Sequence, residues 1–462
     1  MQTSEKKPFL APPVATETKY LLAIALPIMG AQLAQSGMGV IDTLMVGRLG
    51  ADHLAAVALG ASIWMPLFLF LSGTLLGLTP FIAQWLGEDT PEKVGPFAFQ
   101  GFWLGLTVSM LSIAVILLHP MILDMMYVPE HLVPLVSDYL LGIMFGFPAL
   151  GLYQTLRSYT EGLGFTRPVL IISVSTLLIN LVSNWILIYG MGPIPSMGVL
   201  GCGFATAIAM WSGVFMLGLI IRHNRRYKDT NLLQHPAKPN WSAIKEMSKV
   251  GIPIGVSIFF EVGLFTTIAL FIARLGSTQI AAHQIALNVT SVTFMVPLSL
   301  AMALTVRVGN GIGAGGIQYG KRVSHVGIFW TLIASIFTAS IMYFLPGIIA
   351  KFYTDQAEVI ALAITLLHLA AIFQLSDALQ VALSGALRGY KDTQIIMPIT
   401  LFSYWGIGMG LGYVLSLTDW IVPAMGVAGF WYGLIAGLSS AAILLGWRFH
   451  ITNKRGLIYQ NV

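Results

Sequence analysis

Three acids stand inside apolar runs of this chain: Asp42 in GVIDTLMVG, Glu261 in GVSIFFEVGLF and Asp377 in AAIFQLSDALQVAL. A charge at the centre of a bilayer costs about 2.5–3.5 kcal/mol on insertion scales, so an acid kept there marks an ion or substrate path. A carboxylate in low dielectric reaches neutrality in one of two ways. It takes up a proton, or it holds a metal cation together with other oxygen ligands. Either way it carries a cation that a second cation can displace, which is antiport in its simplest form.

The neighbours of each acid are polar and mostly neutral. Gln35 lies seven residues before Asp42, two turns back on the same helix face. The alternative for Asp42 is an ion pair near the outer interface with Arg48. Glu261 has no Lys or Arg within ten positions, the alternative for it being a buried acid paired to a distant base. Gln374 and Gln380 flank Asp377 at three residues on either side, forming either a cation wall or an amide ladder between helices. Asn180 and Asn184, four apart in LLINLVSNWILIYG, either hydrogen-bond a neighbouring helix or hold the proton and water network of Asp42. Gln284 and Asn288 share a face beside His283, extending a possible polar cavity. A lone histidine in such a place is a packing residue rather than a metal ligand.

The elements that position these groups follow from composition. Of 462 residues, 56% are hydrophobic and 9% charged, with mean hydropathy +0.81. Soluble domains carry about 25% charged residues. This chain therefore faces lipid, and lipid forces its backbone into helices. Twelve spans are expected, near 20–45, 54–84, 96–118, 132–156, 168–190, 199–221, 247–273, 280–306, 323–346, 357–386, 395–416 and 423–447. With the N-terminus inside, 21 of the 24 Lys and Arg fall on the cytoplasmic side; Arg48, Arg274 and Lys351 fall opposite. That asymmetry puts both termini in the cytoplasm. The first residues lack a signal-peptide core, so no cleavage is expected. The net charge of +5 resides in short loops, which argues for topology rather than nucleic acid as partner. The single cysteine, Cys202, allows no intrachain disulfide.

The chain also repeats itself. A shift of 226 sets LPIMGAQLAQSGMGVIDTLMVGRLGADHLAA on IPIGVSIFFEVGLFTTIALFIARLGSTQIAA, aligning Pro27 with Pro253 and Gln35 with Glu261. GVLG from Gly198 later meets GVAG from Gly426, a shift of 228. The expectation is an all-α membrane protein of two pseudo-symmetric six-helix lobes, 1–235 (with its cytoplasmic linker) and 236–462. Parallel repeats of this kind place substrate and ion sites near the midplane between lobes and work by rocking.

Several other functions lack their chemistry. GGIQYGKR mimics a phosphate loop but ends in Arg322 where Ser or Thr should hold magnesium, and no strand precedes it. Neither H-E-x-x-H nor G-x-S-x-G occurs, and no nucleophile–base pair is visible, so a membrane enzyme is disfavoured. A channel is disfavoured too, for want of a filter loop. A lipid-linked oligosaccharide flippase needs a basic cavity for its diphosphate, whereas the charges of these spans are acids.

ALPIMGAQLAQSGMGVIDTLMVG, EVGLF, RLGSTQIAAHQIALN and LRGYKDT resemble the multidrug and toxic compound extrusion (MATE) family, NorM type, over essentially the whole chain. The resemblance implies twelve helices in two lobes and export of small organic cations, such as fluoroquinolones and cationic dyes, in exchange for sodium or protons. It assigns the coupling cation, Na+, to Glu261 and Asp377. It assigns the proton- or substrate-coupled site of the first lobe to Asp42 with Asn180, Asn184 and Thr206, and it gives Asp355 a lesser role in substrate contact. Some relatives have a tyrosine in a Y-M-x-P context where this chain has Phe294, so one hydroxyl ligand is missing. The implied protein is a monomer of the bacterial inner membrane, surrounded by lipid, with no cofactor beyond its coupling ion and no nucleic-acid partner.

Overall fold

The computed structural model describes residues 12–230, 232–233 and 236–460, with side chains as far as Lys454. It is almost wholly helical. The long helices are α1 (Val14–Gly47), α2 (Ala51–Gly87), α3 (Pro91–Ile116), α4 (Val133–Met144 and Phe147–Gly162, bent by 44°), α5 (Arg167–Tyr189), α6 (Gly198–His223) and α7 (Trp241–Ala273). A continuous helical stretch, Ser277–Phe344, breaks at Gly315 and Gly316 into α8 (277–314) and α9 (317–344). Then follow α10 (Ala357–Gly389), α11 (Ile396–Leu417) and α12 (Val427–Gln460). Each of the twelve expected spans falls on one of these helices. α8 runs two turns past the expected end near residue 306.

Gly316 has φ 71° and ψ −169°, a conformation that L side chains rarely adopt, and this is why the GG of GGIQYGKR turns the chain. The segment is a helix break and not a phosphate loop. Short helices, His119–Met125 and Pro346–Tyr353, lie between α3 and α4 and between α9 and α10.

Two compact units organise the helices. One holds the described part of Met1–Met29, Gly87–Asp89 and Phe260–Val462; the other holds Gly30–Leu86 and Thr90–Phe259. α1 and α7 thus contribute to both, each dividing a short way after its internal proline, Pro27 or Pro253. Proline removes one backbone hydrogen bond and bends a helix locally.

Small residues set the closest approaches, as expected where no hydrophobic drive exists between helices in lipid. A Cβ on Gly433 of α12 would lie 2.4 Å from the Gly408 carbonyl oxygen and 2.5 Å from Gly412 Cα, both on α11. These are backbone atoms that cannot yield without parting the helices. Gly433→Leu is therefore expected to fail to accumulate in membranes, while Gly410→Ala, whose Cβ would meet nothing within 4 Å, accumulates normally. Immunoblots of membrane fractions check this, and equal amounts of both variants would contradict the packing.

Candidate functional site

Asp42 is buried on α1, and its partners come from α5 and α6. Asn184 Nδ2 donates to Asp42 Oδ1 at 2.6 Å and to Asn180 Oδ1 at 3.1 Å. Thr206 Oγ1 donates to Asp42 Oδ2 at 3.1 Å, shared with the Cys202 carbonyl at 3.2 Å. The i,i+4 spacing of the two asparagines puts both amides on the α5 face that meets α1. Both carboxylate oxygens are thus met by neutral donors, and Arg48 takes no part. A cavity of about 180 Å³ opens beside the carboxylate, lined by Gln35, Asp42, Trp64, Phe68, Tyr153 and Met210 among others. One acid among aromatic faces suits an organic cation, which gains from the carboxylate and from the rings together.

Asn184→Ala deletes the shorter hydrogen bond to a buried acid, a loss of about 1.5–3 kcal/mol for bonds to charged groups. The expected result is a lower melting midpoint in detergent, and an unchanged midpoint would remove Asn184 from this role.

Gln35 lines the same cavity, yet its hydrogen bond goes elsewhere. Arg157 on α4 donates from Nη1 to Gln35 Oε1 at 3.3 Å, from Nη2 to Gln32 Oε1 at 2.9 Å and from Nε to Glu161 at 2.7 Å. Arg157 is 4% exposed and Glu161 1% exposed. Arg157, counted with the cytoplasmic helix ends, is folded into the helix bundle, and its charge is met there by Glu161.

The second unit carries the other two acids. Asp377 is buried on α10 and Glu261 half-buried on α7, and the two lie within electrostatic reach of each other. Arg388 on α10 and Tyr404 on α11 complete the cluster, each electrostatically linked to Glu261. Asp377 Oδ1, Gln374 Nε2, Arg388 Nε and the Tyr404 hydroxyl are all buried without a hydrogen-bond partner. Gln374 Oε1 accepts from Thr293 Oγ1 at 3.4 Å. Tyr404 is fully buried within a stretch, Phe402–Met409, where α11 widens to i→i+5 hydrogen bonding, a distortion frequent at functional sites.

A set of two carboxylates, an amide and a phenol suits a hard monovalent cation more than a transition metal. Among the described residues, no group of three or more His, Cys, Asp or Glu gathers as a metal site.

Gln284 and Asn288 are exposed on α8 and hydrogen-bond neither Glu261 nor Asp377. Asp355 is exposed in the loop before α10. His283 is fully buried, its Nδ1 accepting from Trp431 Nε1 at 3.2 Å, as a packing histidine does. Sequence reasoning passed over Arg157, Arg388 and Tyr404. The signal for the arginines was present: Leu156-Arg157-Ser158-Tyr159 and Leu387-Arg388-Gly389-Tyr390 are the same motif in the two halves, each with an acid four residues after its arginine.

The chain matches the MatE family at residues 27–186 and again at 253–414, the duplication seen in the sequence. It is 42% identical to the probable multidrug resistance protein NorM of Shewanella oneidensis, with 95% of each chain covered. It is 45% identical to the multidrug resistance protein PmpM of Pseudomonas aeruginosa, covering 96% of this chain and 93% of that one. Its fold superposes on the crystal structure of the eukaryotic MATE transporter AtDTX14 with TM-score 0.85 at 22% identity, over 96% of this chain and 98% of the other. Twelve helices with a MATE fold, two family matches and relatives alike from end to end converge on one assignment: the chain is a multi-pass membrane protein of the MatE family.

Proposed function

We propose that the chain is a multidrug efflux antiporter, exporting organic cations such as fluoroquinolones and cationic dyes in exchange for Na+ or H+. The observation that carries this reading is the cluster of Glu261, Asp377, Gln374 and Tyr404, with buried oxygens unpartnered inside a membrane protein. A buried polar group without a partner is costly, and an exchangeable cation relieves that cost. The multidrug resistance names of its relatives support the same reading.

In this scheme the coupling cation neutralises Glu261 and Asp377. The organic cation engages Asp42, whose charge is presented by Asn184, Asn180 and Thr206. The lobes 1–235 and 236–462 alternate access to the two sides of the bacterial inner membrane, with both termini cytoplasmic and a single chain as the working unit. Gln35 lines the cavity beside Asp42. No cofactor takes part, and the protein is a transporter and not an enzyme.

The test is ethidium or norfloxacin export from proteoliposomes with sodium and proton gradients imposed one at a time. Export driven by at least one gradient is expected; no export under either, from well-inserted protein, would defeat the reading. A lipid-diphosphate flippase finds one observation in its favour, the buried Arg157. Its guanidinium nitrogens, however, already hold Glu161, Gln35 and Gln32.

A further inference from the structure

The internal repeat sets two arginines in equivalent places and gives them different partners. In the first half, Arg157 is fully engaged: Nε by Glu161, Nη1 by Gln35 and Nη2 by Gln32. In the second half, the LRxY motif makes Arg388 its counterpart and Asp392 the counterpart of Glu161. Asp392 has been taken by another base. Arg448 of α12 binds it with Nε at 2.7 Å and Nη2 at 2.9 Å, and Thr452 donates to it as well. Gln32 has become Ile258 under the shift of 226, and Gln35 has become Glu261. Arg388 has thus lost both its carboxylate and one of its amides, its Nε is buried without a hydrogen bond, and the group standing in the place of its remaining partner is an acid. Between Arg388 and Glu261 there is electrostatic interaction but no ion pair within 4 Å.

We propose that Arg388 is a tethered cation of the coupling site, freed from Asp392 by Arg448 so that it can compete with the transported ion for Glu261. With the site empty of ion, the guanidinium swings toward Glu261 and limits the cost of a bare carboxylate in low dielectric. When the ion arrives, the guanidinium withdraws; when it returns, it helps to expel the ion. Arg388 is therefore a positioning residue that sets ion affinity and release, and not an ion ligand. The ligand class is a monovalent cation that Arg388 can mimic in charge. This inference rests on the proposed role of Glu261 as a coupling acid.

The experiment measures sodium affinity of the purified full chain, by radiolabelled sodium binding at fixed pH, beside drug export by the same variants in proteoliposomes. Arg388→Gln is expected to bind sodium roughly tenfold tighter, the competitor being gone, yet to export more slowly because the ion is no longer expelled. Arg388→Lys, which keeps the charge, stays near wild type. Arg448→Gln frees Asp392 to recapture Arg388 and reproduces the tighter binding, and adding Asp392→Asn to it restores wild-type affinity. Unchanged or weaker binding in Arg388→Gln, or no effect of Arg448→Gln, overturns the inference. If wild-type binding does not depend on Glu261 at all, as judged with Glu261→Gln, the proposed coupling site fails first and this inference falls with it.

Discussion

Asp377→Asn is expected to abolish sodium- or proton-driven export while leaving the protein folded and inserted. The asparagine keeps the shape and one hydrogen-bonding oxygen of the carboxylate, and Asp377 lies fully inside the helix bundle, so packing is preserved. What is lost is one of the two charges that can balance the coupling cation. Removing one partner of a buried pair of opposite charges, here a carboxylate that would meet the cation, costs about 3–5 kcal/mol, roughly 10²–10⁴-fold in affinity. Glu261→Gln removes the other and is expected to act alike. The measurement is drug-induced ion movement in proteoliposomes, with the melting midpoint as a check on folding. Wild-type ion movement in both variants would end the assignment of the site.

The second large effect is expected at Asp42. Asp42→Asn should lower resistance of efflux-deficient cells to cationic dyes to that of cells lacking the protein, because the acid facing the cavity is the one charge there that can meet an organic cation. Sodium binding at Glu261 and Asp377 should persist in the purified variant. The pairing of the two readouts matters, since it separates the substrate site from the ion site. If Asp42→Asn kept full resistance, the cavity beside α1 would not be the path of the drug. If it lost ion binding as well, the two clusters would be one coupled site instead of two.

Both expectations use residues legible before any coordinates. An acid in an apolar run is visible because insertion into lipid penalises it, whatever the tertiary arrangement. Helix periodicity likewise showed that Asn180 and Asn184 share a face and that Gln374 and Asp377 share another. The twelve spans were legible for the same reason: hydropathy over about 20 residues reports the solvent of a helix, and lipid leaves no other secondary structure open to it. Even the helix break at Gly315–Gly316 had its signal, two adjacent glycines in an otherwise helical run.

What one-dimensional reading left open was the burial of the basic residues. Charge asymmetry counts Lys and Arg at span ends together with those of the loops and does not tell which are folded in, as Arg157, Arg307 and Arg388 are. Arg307 illustrates the cause: its Nε and Nη2 grip Glu17 at 2.7 and 2.8 Å, and Tyr319, just after the break, donates to the same carboxylate at 2.9 Å. Glu17 lies near the start of the chain, 290 residues from Arg307. No local pattern couples positions so far apart, and the sign of a charge says nothing about whether a distant partner will accompany it inward.

By itself, then, the sequence determined the solvent of the chain, the helical class, the duplication and the three acids, since each depends on transfer free energy or on local periodicity. The tertiary structure decided which neutral groups meet Asp42, that Tyr404 is buried within electrostatic reach of Glu261 and Asp377, and that Arg448 rather than Arg388 holds Asp392. Those are matters of which helix faces meet, and helix faces are matched by packing across the whole fold.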